Sequence, residues 1–180
     1  MKKVIYIITY FISVFALHAQ DYKTVTGKVE FFSSAPVEDI KAENNAVNGI
    51  FNSESGSLAF LVPIKAFRFP KSLMQEHFNE KFLESHKYPE ATFEGKLTGF
   101  SLTGSGSQDA IAEGDLTIHG LTVKYRVPGN IILDGDQITM EAVFPVKLED
   151  HEIQIPTVLF YNIAEEVDVT ANFVFKKIEK

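Results

Sequence analysis

Apolar and polar residues alternate along most of the chain. Between residues 24 and 31, valine, glycine and phenylalanine at odd positions alternate with threonine, lysine and glutamate at even positions. The same period of two recurs at 91–97, 122–127 and 167–176. Such alternation predicts β-strands with one buried and one solvent-facing side. Turn-forming residues separate these runs, and the pattern as a whole predicts about eight strands joined by mostly short connections in one antiparallel domain.

One stretch, residues 72–85, departs from the period of two. Its apolar-face residues recur at steps of three and four, namely Leu73, Met74, His77, Phe78 and Phe82. Pro70 and Pro89 flank the stretch, as they often flank a short amphipathic helix. Ser72 is the predicted N-cap, and Gln75 completes a capping box. Because its apolar face needs cover, we expect the helix on the mouth or the wall of the β-structure.

The first nineteen residues have the layout of a secretory signal peptide. Lys2 and Lys3 precede an apolar run from 4 to 17, and Ala19 is a small residue at the expected cleavage point. A membrane anchor needs about 20 apolar residues, more than this run offers. The sequence therefore predicts a signal peptide over 1–19 and one domain over 20–180. The mature chain is expected in the periplasm or outside the cell, without a membrane span.

Composition excludes several classes of function. The 180 residues carry a formal charge of −7 and no cysteine. An acidic chain is a poor non-specific nucleic-acid binder, and without thiols there is no disulfide framework or cysteine nucleophile. The histidines lack the i, i+4 spacing of a helical zinc site, and no serine lies in a nucleophile elbow. We therefore predict no catalytic residues, no metal and no cofactor.

The alternation alone leaves two architectures open, a β-sandwich and a closed barrel. Several predicted strands are about ten residues long, or roughly 33 Å. The interior of an eight-stranded barrel is either filled by side chains or holds one elongated ligand. The sixteen phenylalanines of the chain suit either outcome.

Three stretches resemble the YceI-like family of lipocalin-like, exported bacterial proteins. They are Gly49 to Phe69, which contains Gly56-Ser57-Leu58-Ala59-Phe60; Leu73 to Phe93, which contains the predicted helix and Tyr88-Pro89-Glu90-Ala91-Thr92-Phe93; and Gly114 to Thr122, which contains Ile118-His119-Gly120. The resemblance implies an all-β fold, an extended eight-stranded antiparallel barrel with one short helix inserted. It further implies a long apolar pore that holds a polyisoprenoid or other long-chain lipid.

Candidate pore residues follow from the alternation and the helical face. They are Phe31, Phe60, Val62, Phe67, Phe69, Met74, Phe78, Phe82, Phe93, Leu97, Leu116, Ile118, Phe144, Phe173 and Phe175. Two polar residues are candidate contacts for a lipid head group: Arg68, which could pair with an anion, and His77 on the helix. His119 precedes Gly120 in a predicted hairpin turn, where histidine tolerates a positive φ.

Two other functions compete with lipid binding at this stage. A barrel with a fully packed interior would be a structural or interaction protein of the cell envelope, with no bound lipid. A lipid-modifying enzyme would use His77 near the pore mouth. The sequence names neither the ligand nor the oligomeric state.

Overall fold

The computed structural model describes residues 21–34, 39–104, 106–155 and 164–178. The predicted signal peptide lies outside these ranges. The described residues form nine strands: β1 (Asp21–Ser33), β2 (Ile40–Asn44), β3 (Asn48–Asn52), β4 (Ser57–Pro63), β5 (Glu90–Thr98), β6 (Gly106–Ile118), β7 (Leu121–Asp134), β8 (Gln137–Lys147) and β9 (Glu166–Lys177).

The strands close into an antiparallel barrel because β1 pairs with β9 on one edge and with β2 and β3 on the other. Lys23 pairs with Ile50 and Val29 pairs with Asn44, so β2 and β3 share one register along β1. They therefore fill a single strand position, and the barrel has eight positions. This confirms the predicted eight-stranded antiparallel barrel and decides against the sandwich.

A β-bulge in β1 changes which residues face inward. Thr24 pairs with Phe175 and Thr26 pairs with Val174, so Val25 is an extra residue in the ladder. Val25 is 48% exposed, whereas Gly27 and Val29 are buried. The expectation that Val25 shares their inward face was wrong, because a bulge shifts the alternation by one residue.

The predicted helix forms between β4 and β5, with two differences from expectation. It begins as an α-helix, α1 (Ser72–His77), and continues as a π-helical turn over Phe78–Phe82. Lys71, not Ser72, is the N-cap residue, so the predicted capping box was wrong. The Gln75 side chain instead accepts a hydrogen bond from the Phe69 N–H, at 3.4 Å.

Strands β7 and β8 pair along only part of their length. Their ladder runs from the Asp134–Gln137 rung to the Gly129–Ala142 rung. Beyond it, residues 121–128 of β7 continue to pair with β6, and residues 143–147 of β8 continue to pair with β9. Pro128 and Pro145 lie in these stretches, and proline has no N–H to donate to a ladder. We call this separation the β7–β8 seam.

The two ends of the barrel differ. The turns after β3, β5 and β7 lie at one end, which we call the base; α1 and the connections after β6 and β8 lie at the other, the helix end. At the base the interior is packed by large apolar side chains: Tyr22, Phe51, Ile131, Ile138 and Phe175. The Phe51 ring centroid lies 5.8 Å from that of Phe100 and 6.3 Å from that of Phe175.

Close approach of β5 and β6 generates a first prediction. Gly95 and Gly114 are directly paired, and a Cβ added to Gly95 would lie 2.5 Å from the Glu113 carbonyl oxygen. A Cβ on Gly114 would meet the Glu94 carbonyl in the same way. We expect Gly114→Ala to lower the free energy of unfolding by about 1–3 kcal/mol, because backbone must move to admit the methyl group.

Urea denaturation of residues 20–180 measures this effect, with Ser107→Ala as the control. Ser107 is an exposed residue of the same strand, β6, and its replacement by alanine adds no atom to the interior. We expect that change to stay within about 0.5 kcal/mol. Equal stability of the two variants would contradict the close-approach argument.

Candidate lipid-binding cavity

A cavity of about 520 Å³ fills the barrel between the packed base and the helix end. Its lining is almost entirely apolar, and the polar residues that contribute atoms to it are Ser33, His77, Thr92, Asn130 and Glu141. This volume is in the range of small-molecule sites in proteins, about 300–1,000 Å³. The interior is therefore hollow above the base.

A belt of small residues on four neighbouring strands leaves this space open. Ala110 pairs with Gly129, Gly129 with Ala142, and Ala142 with Ala171, and all four line the cavity. Because partners in a ladder lie side by side, the belt is one continuous strip of wall across β6, β7, β8 and β9. Larger side chains at the same level would fill the interior of an eight-stranded barrel. Alternation along single strands does not reveal this belt, because it forms only when the four strands pair.

Phenylalanines form the opposite wall near the helix. The Phe31 ring centroid lies 5.5 Å from that of Phe67, 5.7 Å from Phe69 and 5.6 Å from Phe78. Phe78 stands on the inner face of the π-helical turn and is 9% exposed. This cluster anchors the helix to β1, and Met74, His77 and Phe82 of the same helical segment also line the cavity.

Two rings in contact form the floor of the cavity beside β9, while Leu58 and Leu97 line it further towards the base on β4 and β5. The Phe60 and Phe173 centroids are 4.1 Å apart, with 31° between their planes. Each ring lies against a glycine: a Cβ on Gly49 would come within 2.6 Å of Phe60, and one on Gly27 within 3.0 Å of Phe173. Both phenylalanines line the cavity on one side and contact the fully buried Phe175 on the other.

All but one of the predicted pore residues line the cavity. Phe31, Phe60, Val62, Phe67, Phe69, Met74, Phe78, Phe82, Phe93, Leu97, Leu116, Ile118, Phe144 and Phe173 are in its lining. Phe175 needs correction: it lies below the floor, fully buried against Phe51, Phe60 and Phe173. Alternation places Phe175 on the inner face but cannot show at which depth the cavity ends. Contact of the lining residues with a ligand remains a prediction.

The two head-group candidates are placed differently. His77 is half-buried and lines the cavity. Arg68 is exposed, and its backbone bridges to that of Glu43 through hydrogen bonds of 2.8 and 3.1 Å. Arg68 is outside the cavity lining because it alternates with the inward-facing Phe67 and Phe69, and its contact with a head group stays a prediction.

A hydrogen-bonded cluster joins the connections at the helix end. The His119 Nε2 atom lies 2.9 Å from the Glu84 carboxylate, and its Nδ1 atom lies 3.2 Å from the His151 carbonyl oxygen. The Nδ1 atom of His151 lies 3.2 Å from the Leu121 carbonyl oxygen. The hydrogen bond from His119 holds the pKa of Glu84 below its ordinary value. This cluster ties the segment after the helix to the β6–β7 turn and to the Glu149–His151 turn.

Backbone strain is concentrated in the same cluster. The non-glycine residues with positive φ in the described ranges are Glu84 at 41°, His119 at 53° and Glu152 at 51°. This confirms the predicted turn conformation of His119. Its neighbour Gly120 has a φ of 79°, and a Cβ there would meet the Tyr88 ring. Such conformations persist where surrounding contacts hold them.

Within residues 21–34, 39–104, 106–155 and 164–178, no three histidine or carboxylate side chains are placed to hold a metal ion. No helix in those ranges is long and apolar enough to cross a bilayer.

Comparison with protein-family models gives one result that spans the barrel. The model of the YceI-like domain matches residues 12–175. The chain belongs to the YceI-like family. A search of curated protein sequences returns no match.

Solved structures of the YceI-like fold resemble this barrel at low sequence identity. A polyisoprenoid binding domain from Saccharophagus degradans, implicated in plant cell wall breakdown, has a TM-score of 0.75 and 13% identity, covering 87% of this chain and 98% of its own. BcnA from Burkholderia cenocepacia has a TM-score of 0.70 and 19% identity, covering 82% and 95%. The YCEI protein of Campylobacter jejuni has a TM-score of 0.63 and 15% identity, covering 82% and 90%. At these identities the likeness shows the fold.

Burial of His151 generates a pH prediction. The side chain is fully buried, and this desolvation lowers its pKa below the ordinary value of 6.5. The folded state therefore binds fewer protons than the unfolded state between the two pKa values. The contribution of His151 to the free energy of unfolding is fully present above about pH 6.5. It falls as the pH drops towards the folded pKa, with a slope of at most about 1.4 kcal/mol per pH unit.

Denaturation curves from pH 8 to pH 5 measure this slope. We expect His151→Gln to flatten it, whatever the variant's absolute stability. The exposed His86 provides the control, since His86→Gln removes a histidine from the same end of the barrel. An unchanged slope in His151→Gln would contradict the assignment. Protonation of Glu84 acts in a lower window, because its pKa is below 4.5.

Proposed function

We propose that the protein is an exported, non-enzymatic lipid-binding protein that holds an isoprenoid or other long apolar chain inside its barrel. The observation that carries this proposal is the apolar cavity of about 520 Å³ within a YceI-like fold. The likeness to a polyisoprenoid binding domain supports the same ligand class.

Burial of a hydrocarbon chain supplies enough free energy for binding. Each methylene group removed from water contributes about 0.8 kcal/mol, so fifteen carbons contribute roughly 12 kcal/mol before costs. Association costs are on the order of 4–15 kcal/mol. The aromatic wall reduces the ordering part of that cost, because phenylalanine has few rotatable bonds and these rings already pack against one another.

The polar end of the ligand belongs at the helix end. Leu73 lines the cavity and is 59% exposed, which marks where the cavity meets solvent. His77 lies one helical turn further along and is the polar side chain of α1 that reaches the lining. We assign His77 as the head-group contact, with the hydrocarbon chain running towards the base.

Export follows from the N-terminal pattern. Cleavage after Ala19 would release a chain that begins one residue before β1 (Asp21–Ser33). The barrel then starts almost at the mature N-terminus, in the periplasm or outside the cell. A barrel whose ligand is insoluble in water has an obvious use in such an aqueous compartment.

The competing functions receive less support. The hollow interior counts against a fully packed barrel whose function lies on its surface. An enzyme acting through His77 would need a second polar group beside it, and the lining residues next to His77 on the same helical segment are the apolar Leu73, Met74 and Phe78. We therefore prefer binding without chemical change.

Native mass spectrometry of the exported protein tests the proposal. We expect an N-terminus at Gln20 and an adduct of lipid mass that organic solvent extracts. His77→Ala should still bind an apolar ligand, because the hydrocarbon contacts remain. It should discriminate less between ligands that differ in their head groups. An adduct-free protein that also fails to bind added farnesol and palmitic acid would overturn the proposal.

A further inference from the structure

We propose that the cavity is closed at the base and limits the length of its ligand. It accepts a single chain of about sixteen main-chain carbons, and the Phe60–Phe173 floor sets this maximum length. This inference rests on the proposed lipid-binding function and adds a chain length to it. It follows from the ladder registers, the ring contacts and the extent of the cavity lining along β8.

The floor is closed by successive rows of side chains. One row of ladder partners lies at the base end of the cavity. In this row Ile131 pairs with Met140, Met140 with Phe173, and Phe173 with Gly27. Met140 and Phe173 line the cavity, whereas Ile131 is fully buried.

The next row towards the base lies entirely below the cavity. There Leu133 pairs with Ile138, and Ile138 pairs with Phe175. Ile138 is 2% exposed and Phe175 is 0% exposed. A chain end that reaches Phe173 therefore meets packed side chains and cannot go further.

The floor rings are held in place from both sides. Phe60 and Phe173 stack on each other, and each occupies space over a glycine, Gly49 and Gly27 respectively. Phe175 supports both rings from below, with centroids 6.0 Å from Phe60 and 6.3 Å from Phe173. These contacts support both rings from the base side, so a chain end that moves towards the base meets packed side chains.

The extent of the lining along one strand gives the length. Strand β8 lines the cavity with five alternate residues from Met140 to Leu148, including the residue just past its end. Eight residue steps of about 3.3 Å at a tilt near 40° give roughly 20 Å along the barrel axis. An extended chain advances about 1.2 Å per bond, which yields about sixteen carbons.

The small-residue belt lies one row above the floor. Ala142 is two residues from Met140 on β8 and lines the cavity, and its ladder partners there are Gly129 and Ala171. A larger side chain at Ala142 would project into the path of the chain just before its end. Substitutions in the floor and in the belt should therefore shift the maximum chain length in opposite directions.

The test is a chain-length profile with saturated n-alkanols from ten to twenty-two carbons, competed against a bound fluorescent fatty acid. For the protein over residues 20–180, we expect the Kd to fall roughly fourfold with each added carbon up to about sixteen, and then to stop falling. Phe173→Ala opens space below the floor and should move this break to longer chains by two or more carbons. Ala142→Leu should move it to shorter chains.

Val143→Leu is the matched control, because Val143 neighbours Ala142 on β8 but faces outward and is 62% exposed. In Val143→Leu we expect the Kd to stop falling at the same chain length as in the wild-type protein. If Phe173→Ala fails to fold, the shift of the break in Ala142→Leu still decides. Breaks that coincide in wild type, Phe173→Ala and Ala142→Leu would overturn the length limit while lipid binding stands. An absence of binding at every chain length would overturn the proposed function as well.

Discussion

The size of the inward-facing side chains is the constraint on which the rest of this structure depends. An eight-stranded barrel has an interior just wide enough to be filled, so a cavity forms only where large side chains are left out. In this protein they are left out on one side and at one level: Ala110, Gly129, Ala142 and Ala171 share a strip of wall. Large aromatic rings at the base and near the helix surround the space that results.

Glycines and phenylalanines act together at the floor. Because Gly27 and Gly49 have no side chains, the Phe173 and Phe60 rings can lie over the neighbouring strands β1 and β3 and contact each other. The polar contacts are concentrated elsewhere, among Glu84, His119 and His151 at the helix end. Those contacts fix the connections around the opening without placing a charged group inside it. The cavity therefore keeps a hydrocarbon-like surface while its opening is held by hydrogen bonds.

Much of the fold could be predicted from the sequence, and the failures have physical causes. Period-two alternation is local, so the strands and most inward residues, such as Phe93 and Phe144, were identified correctly. The Val25 bulge depends on how β1 fits two neighbours at once, which alternation does not record. The depth of Phe175 and the register of the alanine belt depend on pairing between distant strands. Alanines at inward positions were visible in the sequence, but only a known register shows that Ala110, Ala142 and Ala171 lie side by side.

The β7–β8 seam has a mechanical consequence. Among the described residues, β5, β6 and β7 stay joined by ladders towards the helix end, as do β8, β9 and β1, whereas residues 121–128 and 143–147 have no ladder between them. Two contacts cross this separation: the Tyr125 ring centroid is 6.2 Å from that of Phe144, and the Lys147 backbone hydrogen-bonds to the Tyr125 hydroxyl. The described wall is therefore more compliant at the seam than within either group of laddered strands. The circumference of the barrel near the helix end can therefore widen for a branched chain or narrow for a straight one, while the packed base keeps its shape.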